Sequence, residues 1–403
     1  MLKGKRILLI ISGGVAAYKC LEVIRHLRRQ DTLVRCIMTA SATKFVTPLS
    51  VSALSGDKVY SDLFSLTDEN EMGHIKLSRD SDLIVVVPAT ANILAHMAQG
   101  IANDLATTVL LATDKVVMAA PSMNVRMWEH SATKSNLNIL RKRGIQIVGP
   151  DTGDMACGEF GEGRMAEPTK ILSSIQEHFT NAGRLDGMRA LVTSGPTYEP
   201  IDPVRFIANR SSGKQGHAIA STLARFGAKT TLVTGPTSEP DPSGVDVIHI
   251  ETATQMLEAC ENSPPAKIAI CAAAVSDWRV QKAPGQKIKK NGEALNLAFT
   301  ENPDILKVLA ENNKTRPLLV IGFAAETGDV IAKASTKRIQ KNCDWMIAND
   351  VSIGTETFGG DTNQVHFIND LGAESWPKMS KQSVADELVR RIADHLQPKS
   401  TIK

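Results

Sequence analysis

The sequence predicts two doubly wound α/β domains in one chain, and three observations predict it. Short apolar runs without period-two alternation recur along its length, as strands covered on both faces do. Segments with helical spacing separate these runs, and strand–helix alternation of this kind builds a parallel sheet. The alternation breaks near the middle and then restarts. The total of 403 residues suits two or three domains at roughly 100–200 residues each.

In the first half the expected strands are Arg6–Ile11, Val34–Thr39, Leu83–Val87, Val116–Ala119 and Gln146–Val148. Helices are expected over Ala16–Arg29, Ala89–Met97 and Asn124–Lys142. From about 149 to 168 the pattern stops, with five glycines among residues 149–164, and this reads as a long functional loop or linker. A helix near Thr169–Phe179 closes the unit, and Asn181–Gly187 reads as the boundary. The expected domains are therefore residues 1–183 and 187–403. The second is expected to hold strands at Arg189–Thr193, Thr230–Val233, Val245–Ile250, Lys267–Ala272, Leu318–Ile321 and Trp345–Ile347. Its helices fall near Gly216–Phe226, Thr254–Asn262, Asp304–Glu311, Ile331–Lys341 and Ser383–His395.

Composition narrows the function. Hydrophobic residues make up 42% and charged residues 22%, a globular balance that excludes global disorder. Lys+Arg at 46 against Asp+Glu at 43 leaves a net charge of +3, so no nucleic-acid partner is indicated. No run approaches the ~18 apolar residues of a membrane span. The basic start and Ile7–Ile11 imitate a signal peptide, but the apolar run is short and Gly13, Gly14 and Lys19 follow, so a cytoplasmic protein is expected. Six scattered cysteines form no CxxC pair; zinc is unsupported, and free thiols are expected.

Several turns carry chemistry-bearing residues. Ser12-Gly13-Gly14-Val15-Ala16-Ala17-Tyr18-Lys19 sits at a strand-to-helix turn, where glycines admit a ligand to the backbone and a helix start offers N–H groups to an anion. Ser41 and Thr43 follow the second strand and suit phosphate contact or helix capping. Pro88-Ala89-Thr90-Ala91-Asn92 and Ala102-Asn103-Asp104-Leu105 are small-residue, Asn-bearing turns that suit either a flat heterocycle or turn chemistry. His74 precedes a strand, Pro121-Ser122-Met123-Asn124 follows one, and Cys157 lies in the glycine-rich stretch, where a thiol can donate a proton.

Together with Gly73-His74, Val125-Arg126-Met127-Trp128 and Ala156-Cys157-Gly158, these motifs resemble the homo-oligomeric flavin-containing cysteine decarboxylases, phosphopantothenoylcysteine decarboxylase above all. The order and spacing agree over about 180 residues, with Ser122 in place of the Ala common in bacterial members. The resemblance implies an FMN site at Ser12, Gly13, Gly14, Thr39, Ser41, Thr90, Asn92, Ala102 and Asn103. It implies that FMN oxidises the cysteinyl side chain to a thioaldehyde, that CO2 then leaves, and that reduced FMN with a proton donor restores the thiol. His74 matches the active-site histidine, Asn124 the residue on the substrate carboxylate and Cys157 the proton donor.

In the second half, Ser194-Gly195-Pro196-Thr197-Tyr198-Glu199-Pro200-Ile201-Asp202-Pro203-Val204-Arg205 precedes Ile207–Gly216. The Ser-Gly-Lys within the latter is no P-loop, because GxxxxGK(S/T) needs Gly and Ser or Thr where Ala208 and Gln215 stand. Ser211, Ser212 and Gly213 still suit a phosphate cradle or a helix cap. Asp277 follows a strand, and Lys287-Ile288-Lys289-Lys290 reads as a solvated edge strand or as an anion contact. Lys337 and Lys341, four apart, share a helix face and repel unless an anion or partner charge compensates.

With Asn302-Pro303-Asp304-Ile305 and Gly322-Phe323-Ala324-Ala325-Glu326, these residues resemble phosphopantothenate–cysteine ligase from about 187 onward. The whole chain thus resembles the bacterial bifunctional proteins of coenzyme A biosynthesis. The resemblance implies that phosphopantothenate attacks CTP to give an acyl-cytidylate and pyrophosphate, and that cysteine then displaces CMP, with Mg²⁺ offsetting triphosphate charge. It places Ala273, Asp277, Lys287, Asn302, Pro303, Asp304, Ile305, Phe323, Lys337 and Lys341 at the nucleotide, Lys287 in formation of the acyl-cytidylate and Asn209 in its handling. It also implies a homo-oligomer built from decarboxylase trimers and ligase dimers. An NAD-dependent oxidoreductase is the alternative enzyme, but neither first turn reads GxGxxG. An inactive flavin scaffold is the non-enzymatic alternative, against which His74, Asn124 and Cys157 stand.

Overall fold

The structure, a computed structural model, describes residues 2–63, 73–289, 295–352, 355 and 359–397. It divides into two compact units, Met1–Thr180 and Asn181–Lys403.

The first unit holds strands β1 (Arg6–Ile11), β2 (Leu33–Met38), β3 (Val59–Tyr60), β4 (Leu83–Ala89), β5 (Val117–Pro121) and β6 (Gln146–Ile147), followed by β7 (Asp151–Asp154) and β8 (Phe160–Arg164). Its helices are α1 (Lys19–Arg28), α2 (Pro48–Ser55), α3 (Gly73–Arg79), α4 (Ala91–Gln99), α5 (Leu105–Leu111), α6 (Val125–Glu129), α7 (Ser131–Lys142) and α8 (Pro168–Asn181). Six strands form a parallel sheet in the order β3-β2-β1-β4-β5-β6. Along β1, Ile7, Leu9 and Ile11 join one core with α1 and α8, while Leu8 and Ile10 join another with α4 and α7. Burial on both faces is why the strand shows no polar alternation.

The second unit holds β9 (Arg189–Ser194), β10 (Tyr198–Pro200), β11 (Phe206–Ala208), α9 (Lys214–Arg225), β12 (Lys229–Thr234), β13 (Val245–His249), α10 (Ala253–Asn262) and β14 (Ile268–Cys271). There follow β15 (Trp278–Val280), β16 (Phe299–Glu301), α11 (Ile305–Glu311), β17 (Leu319–Glu326), α12 (Val330–Gln340) and β18 (Trp345–Asp350). The unit closes with β19 (Thr362–Asn363), β20 (Val365–Asn369), β21 (Gly372–Ser375), β22 (Met379–Ser380) and α13 (Lys381–Leu396). The main sheet runs β13-β12-β9-β14-β17-β18-β20-β21; its first six strands are parallel and the last two antiparallel. Among the described residues no helix is long and apolar enough to cross a membrane.

Four local readings change. Residues 149–168 are not a structureless loop: β7 and β8 pair as an antiparallel hairpin. Glycine there signals close approach rather than disorder, since a Cβ on Gly163 would lie 2.4 Å from Met123 O and one on Gly161 2.9 Å from Val125 Cγ2. The helix expected over Asn124–Lys142 breaks at His130, whose extended ψ of 135° and ring acceptor for Ala132 N–H restart it as α7. The edge-strand reading of the Lys287–Lys290 run does not hold among the described residues, since 287–289 are irregular; Lys290 lies outside them. Finally, Arg184 and Leu185, expected between domains, pack within the second unit. Leu185 is fully buried in its core, its N–H donates to Phe226 O at 2.7 Å, and Arg184 pairs with Asp394 at 2.8 Å.

Candidate active sites

In the first sheet the strand order reverses between β1 and β4, and ligands of open α/β sheets bind outside the carboxyl ends at such a point. Three turns meet there. Ser12 at the end of β1 is buried and donates to Pro88 O at 2.7 Å, while its Oγ accepts from Thr90 N–H at 3.2 Å. Gly13 lies directly against Ser41, where an added Cβ would sit 2.3 Å from the serine Cβ. Thr39 N–H donates to Ile11 O at 3.1 Å, which fixes the β2 turn to the end of β1. Thr90 caps α4 by accepting from Ile93 N–H. The structure thus brings together Ser12, Gly13, Gly14, Thr39, Ser41 and Thr90. Asn92, Ala102 and Asn103 are exposed, the first on α4 and the others on the α4–α5 connection, with Asn103 bonded locally to Thr107.

His74 is half-buried in the first turn of α3. Because α3 feeds β4 of a parallel sheet, its N-terminus lies toward the carboxyl edge. Asn124 caps α6, with Oδ1 accepting from Met127 N–H at 2.8 Å. That bond fixes the amide orientation, with Nδ2 as the donor end. Cys157 is exposed at the tip of the β7–β8 hairpin, 3.7 Å from Glu159 Oε2, to which its thiol donates. The hairpin is pinned to the Asn124 segment: Met123 N–H donates to Gly163 O at 3.0 Å, and Trp128 Nε1 to Glu162 Oε2 at 2.8 Å. At its base Lys19 Nζ meets Glu167 at 2.8 Å and Lys170 meets Asp151 at 2.5 Å. These bonds hold both carboxyl groups below the usual carboxylate range.

Cys157 is exposed, whereas the other five cysteines are buried or half-buried. All six are free, but burial pushes Cys36 and Cys260 up to about 12 and Cys343 to about 11, so those thiols stay protonated.

In the second sheet the order reverses between β9 and β14. The 272–277 segment after β14 is fixed there from three sides. Ala274 N–H donates to Gly195 O at 2.9 Å and Ser276 N–H to Thr197 Oγ1 at 3.0 Å. Asn209 Nδ2 donates to Val275 O at 2.8 Å, and Asn302 Nδ2 to Ser276 O at 2.9 Å. Ala273 N–H bonds Thr193 Oγ1, and Asp277 is exposed beside Asn302, whose N–H meets the Asp277 carbonyl at 2.9 Å. This brings Asn209, Ala273, Asp277, Asn302 and Pro303 to one edge.

A cleft of about 510 Å³ lies along α12, lined by Glu326, Ala332, Lys333, Thr336, Lys337, Gln340 and Lys341. Lys337 Nζ is 3.5 Å from Glu326 Oε1, and Lys341 pairs with Asp304, the cap of α11. Partner carboxylates therefore offset the like charges at Lys337 and Lys341. Phe323 is half-buried on β17. The Ile305 side chain is buried in a core with Leu191 and Met256.

Lys287 is exposed on the arm between β15 and β16. Its neighbour Ile288 is bonded to Asp202 and Arg205 in the β10–β11 turn. Asp202 is buried, and the Arg205 side-chain bond, supported by three backbone N–H donors, holds its carboxyl far below the usual range. Sequence reasoning quoted Asp202 and Arg205 without a role and gave Glu162 none; nothing in the local sequence pairs them with residues 86, 83 and 34 positions away.

Comparison with known proteins follows this division. Residues 1–180 match the Flavoprotein family model, and residues 185–396 match that of the DNA/pantothenate metabolism flavoprotein C-terminal domain. The coenzyme A biosynthesis bifunctional protein CoaBC of Escherichia coli K12 is 44% identical over 97% of this chain and 98% of its own. Its counterpart from Haemophilus influenzae is 41% identical over 98% and 99%, and that from Vibrio cholerae 42% over 98% and 99%. The chain belongs to the family of bifunctional coenzyme A biosynthesis proteins.

Proposed function

We propose that the first unit is an FMN-dependent decarboxylase of 4′-phosphopantothenoylcysteine, and that the second makes this compound from 4′-phosphopantothenate, cysteine and CTP. The observation that carries this reading is that each unit gathers its candidate residues at its own switch-point edge, hydroxyls and glycine amides in the first and acids and amides in the second.

The first crevice fits FMN. Ser12, Gly13, Gly14, Thr39, Ser41 and Thr90 offer hydroxyl and backbone donors to a phosphate, with Asn92, Ala102 and Asn103 toward the ring. When bound, FMN supplies the two-electron oxidation of the cysteinyl portion and the return of those electrons. Asn124 Nδ2 holds the substrate carboxylate, which aligns the C–C bond that breaks as CO2 leaves. His74 stands by the thiol. Cys157 donates the closing proton from Sγ, and the pinned hairpin brings it over the substrate.

In the second crevice the phosphopantothenate carboxylate attacks the α-phosphate of CTP and pyrophosphate leaves; the cysteine amine then displaces CMP. Lys287 offsets charge building on the α-phosphate, and Asn209 holds the acyl-cytidylate. Asp277, Asn302, Pro303, Asp304, Phe323, Lys337 and Lys341 hold the nucleotide, with Ala273 and Ile305 contributing backbone. Mg²⁺, entering with the triphosphate, would offset its charge. A cytoplasmic homo-oligomer of decarboxylase trimers and ligase dimers completes the reading.

The test is incubation with phosphopantothenate, cysteine, CTP and Mg²⁺, with products followed by mass. Pyrophosphate, CMP and phosphopantetheine are expected. Phosphopantothenoylcysteine accumulating in the FMN-loaded protein would remove the decarboxylase; no pyrophosphate would remove the ligase.

A further inference from the structure

Residues 282–289 form an exposed arm between β15 and β16 with no regular backbone pairing. Among the described residues, hydrogen bonds hold this arm at Gln281, just before it, and at Ile288. At Ile288 both backbone groups are engaged. Its N–H donates to Asp202 Oδ2 at 3.1 Å, and its carbonyl accepts from Arg205 Nη2 at 3.1 Å. A carboxylate and a guanidinium thus do for one residue what a neighbouring strand does in a sheet.

The anchor is itself rigid. Asp202 is only 3% exposed. Its Oδ1 accepts from the N–H groups of Val204 and Arg205, both at 2.9 Å, and its Oδ2 from Arg205 Nε at 3.0 Å. The same turn joins β10 to β11, and Asn209 directly follows β11. The bonds at Ile288 therefore tie the Lys287 backbone to the hairpin that leads to Asn209.

We infer that Asp202 is a positioning residue for the first half-reaction: through Ile288 it holds Lys287 where negative charge develops as the acyl-cytidylate forms. This rests on the reading of Lys287 given above. Asp202 touches no reacting atom. It acts by removing the freedom of an arm that would otherwise carry the lysine through many positions, and displacement of a charge-stabilising group by about 1 Å can cost on the order of 10²-fold in rate.

The experiment measures pyrophosphate release from CTP by the full chain with phosphopantothenate and Mg²⁺. Ile288→Pro deletes the N–H on an exposed arm and leaves the Asp202–Arg205 pair intact; Asp202→Asn attacks the anchor directly, with thermal melting as its folding control. Both are expected to lower kcat on the order of tenfold or more while the KM for CTP changes little. In a Lys287→Gln background neither is expected to cause further loss, because both act through that side chain. Losses that multiply in that background, or normal release by Ile288→Pro beside a blocked Lys287→Gln, would overturn the inference. Normal release by Lys287→Gln alone is a separate outcome: it removes the reading of Lys287 and the inference with it.

Discussion

The indole N–H of Trp128 donates to Glu162 Oε2 at 2.8 Å, and this bond joins the segment that carries Asn124 to the hairpin that carries Cys157. Gly163 makes the contact close enough, since its carbonyl receives Met123 N–H and its missing side chain leaves room for Met123 O. Trp128→Phe keeps most of the buried ring and removes the donor. Glu162 is exposed and water can replace the lost donor, so the loss is that of one hydrogen bond, about 0.5–1.5 kcal/mol, and a slightly lower melting temperature is expected. A larger share of oxidised enethiol among the products is expected too, because the proton donor loses its register. Mass analysis of the product ratio checks it; an unchanged ratio would confine Trp128 to packing.

Cys157→Ser is expected to keep bound FMN and to release CO2, but to stop at the oxidised enethiol. A hydroxyl is a far weaker acid than a thiol, so the closing proton transfer fails while the earlier steps proceed. Normal yields of saturated product would exclude Cys157 as the donor.

Fragments starting at 181 and at 187 are expected to differ. The shorter one loses Leu185 from the core and the Arg184–Asp394 pair. Removing a buried leucine side chain costs about 2–5 kcal/mol, so residues 187–403 should unfold at lower urea than residues 181–403. Equal midpoints would show that Leu185 contributes nothing. Residues 1–183, expressed alone, are expected to be yellow.

Stability of the second unit is expected to depend on pH through His217. This ring is buried, with Nδ1 3.0 Å from both Gly213 O and Ser194 Oγ, and Nε2 has no hydrogen-bond partner among the described residues. Burial lowers its pKa from 6.5. Above about pH 6.5 the ring is neutral in both states and contributes no pH dependence. Below it the unfolded chain takes up a proton that the fold refuses, so stability falls until the pH drops past the folded-state value. Urea midpoints of residues 181–403 between pH 8 and 5 measure this, and His217→Asn should flatten the profile in that window.

The central strands were legible because each is a run of apolar residues long enough to be buried on both faces; Arg6–Ile11 and Leu83–Ala89 needed little beyond that signal, whereas the short or polar strands β3, β20 and β21 toward the sheet edges gave none. The β7–β8 hairpin was not legible. Asp151-Thr152-Gly153-Asp154 and Phe160-Gly161-Glu162-Gly163-Arg164 carry no apolar alternation, and only the surface formed by Met123 and Val125 explains why glycines belong there.

The chain's own order of residues determined the two α/β units and the turns at their sheet edges, because strand burial and turn chemistry act between near neighbours; the residues named for the two sites were read from family resemblance. Tertiary structure alone decided which of these meet. Trp128 finds Glu162 34 residues on, Lys341 finds Asp304 37 residues back, and Asp202 finds Ile288 86 residues away. A hydrogen bond or ion pair of this kind depends on a fit of a few tenths of an ångström. That fit comes from the packing of whole elements, and no local run of residues encodes it.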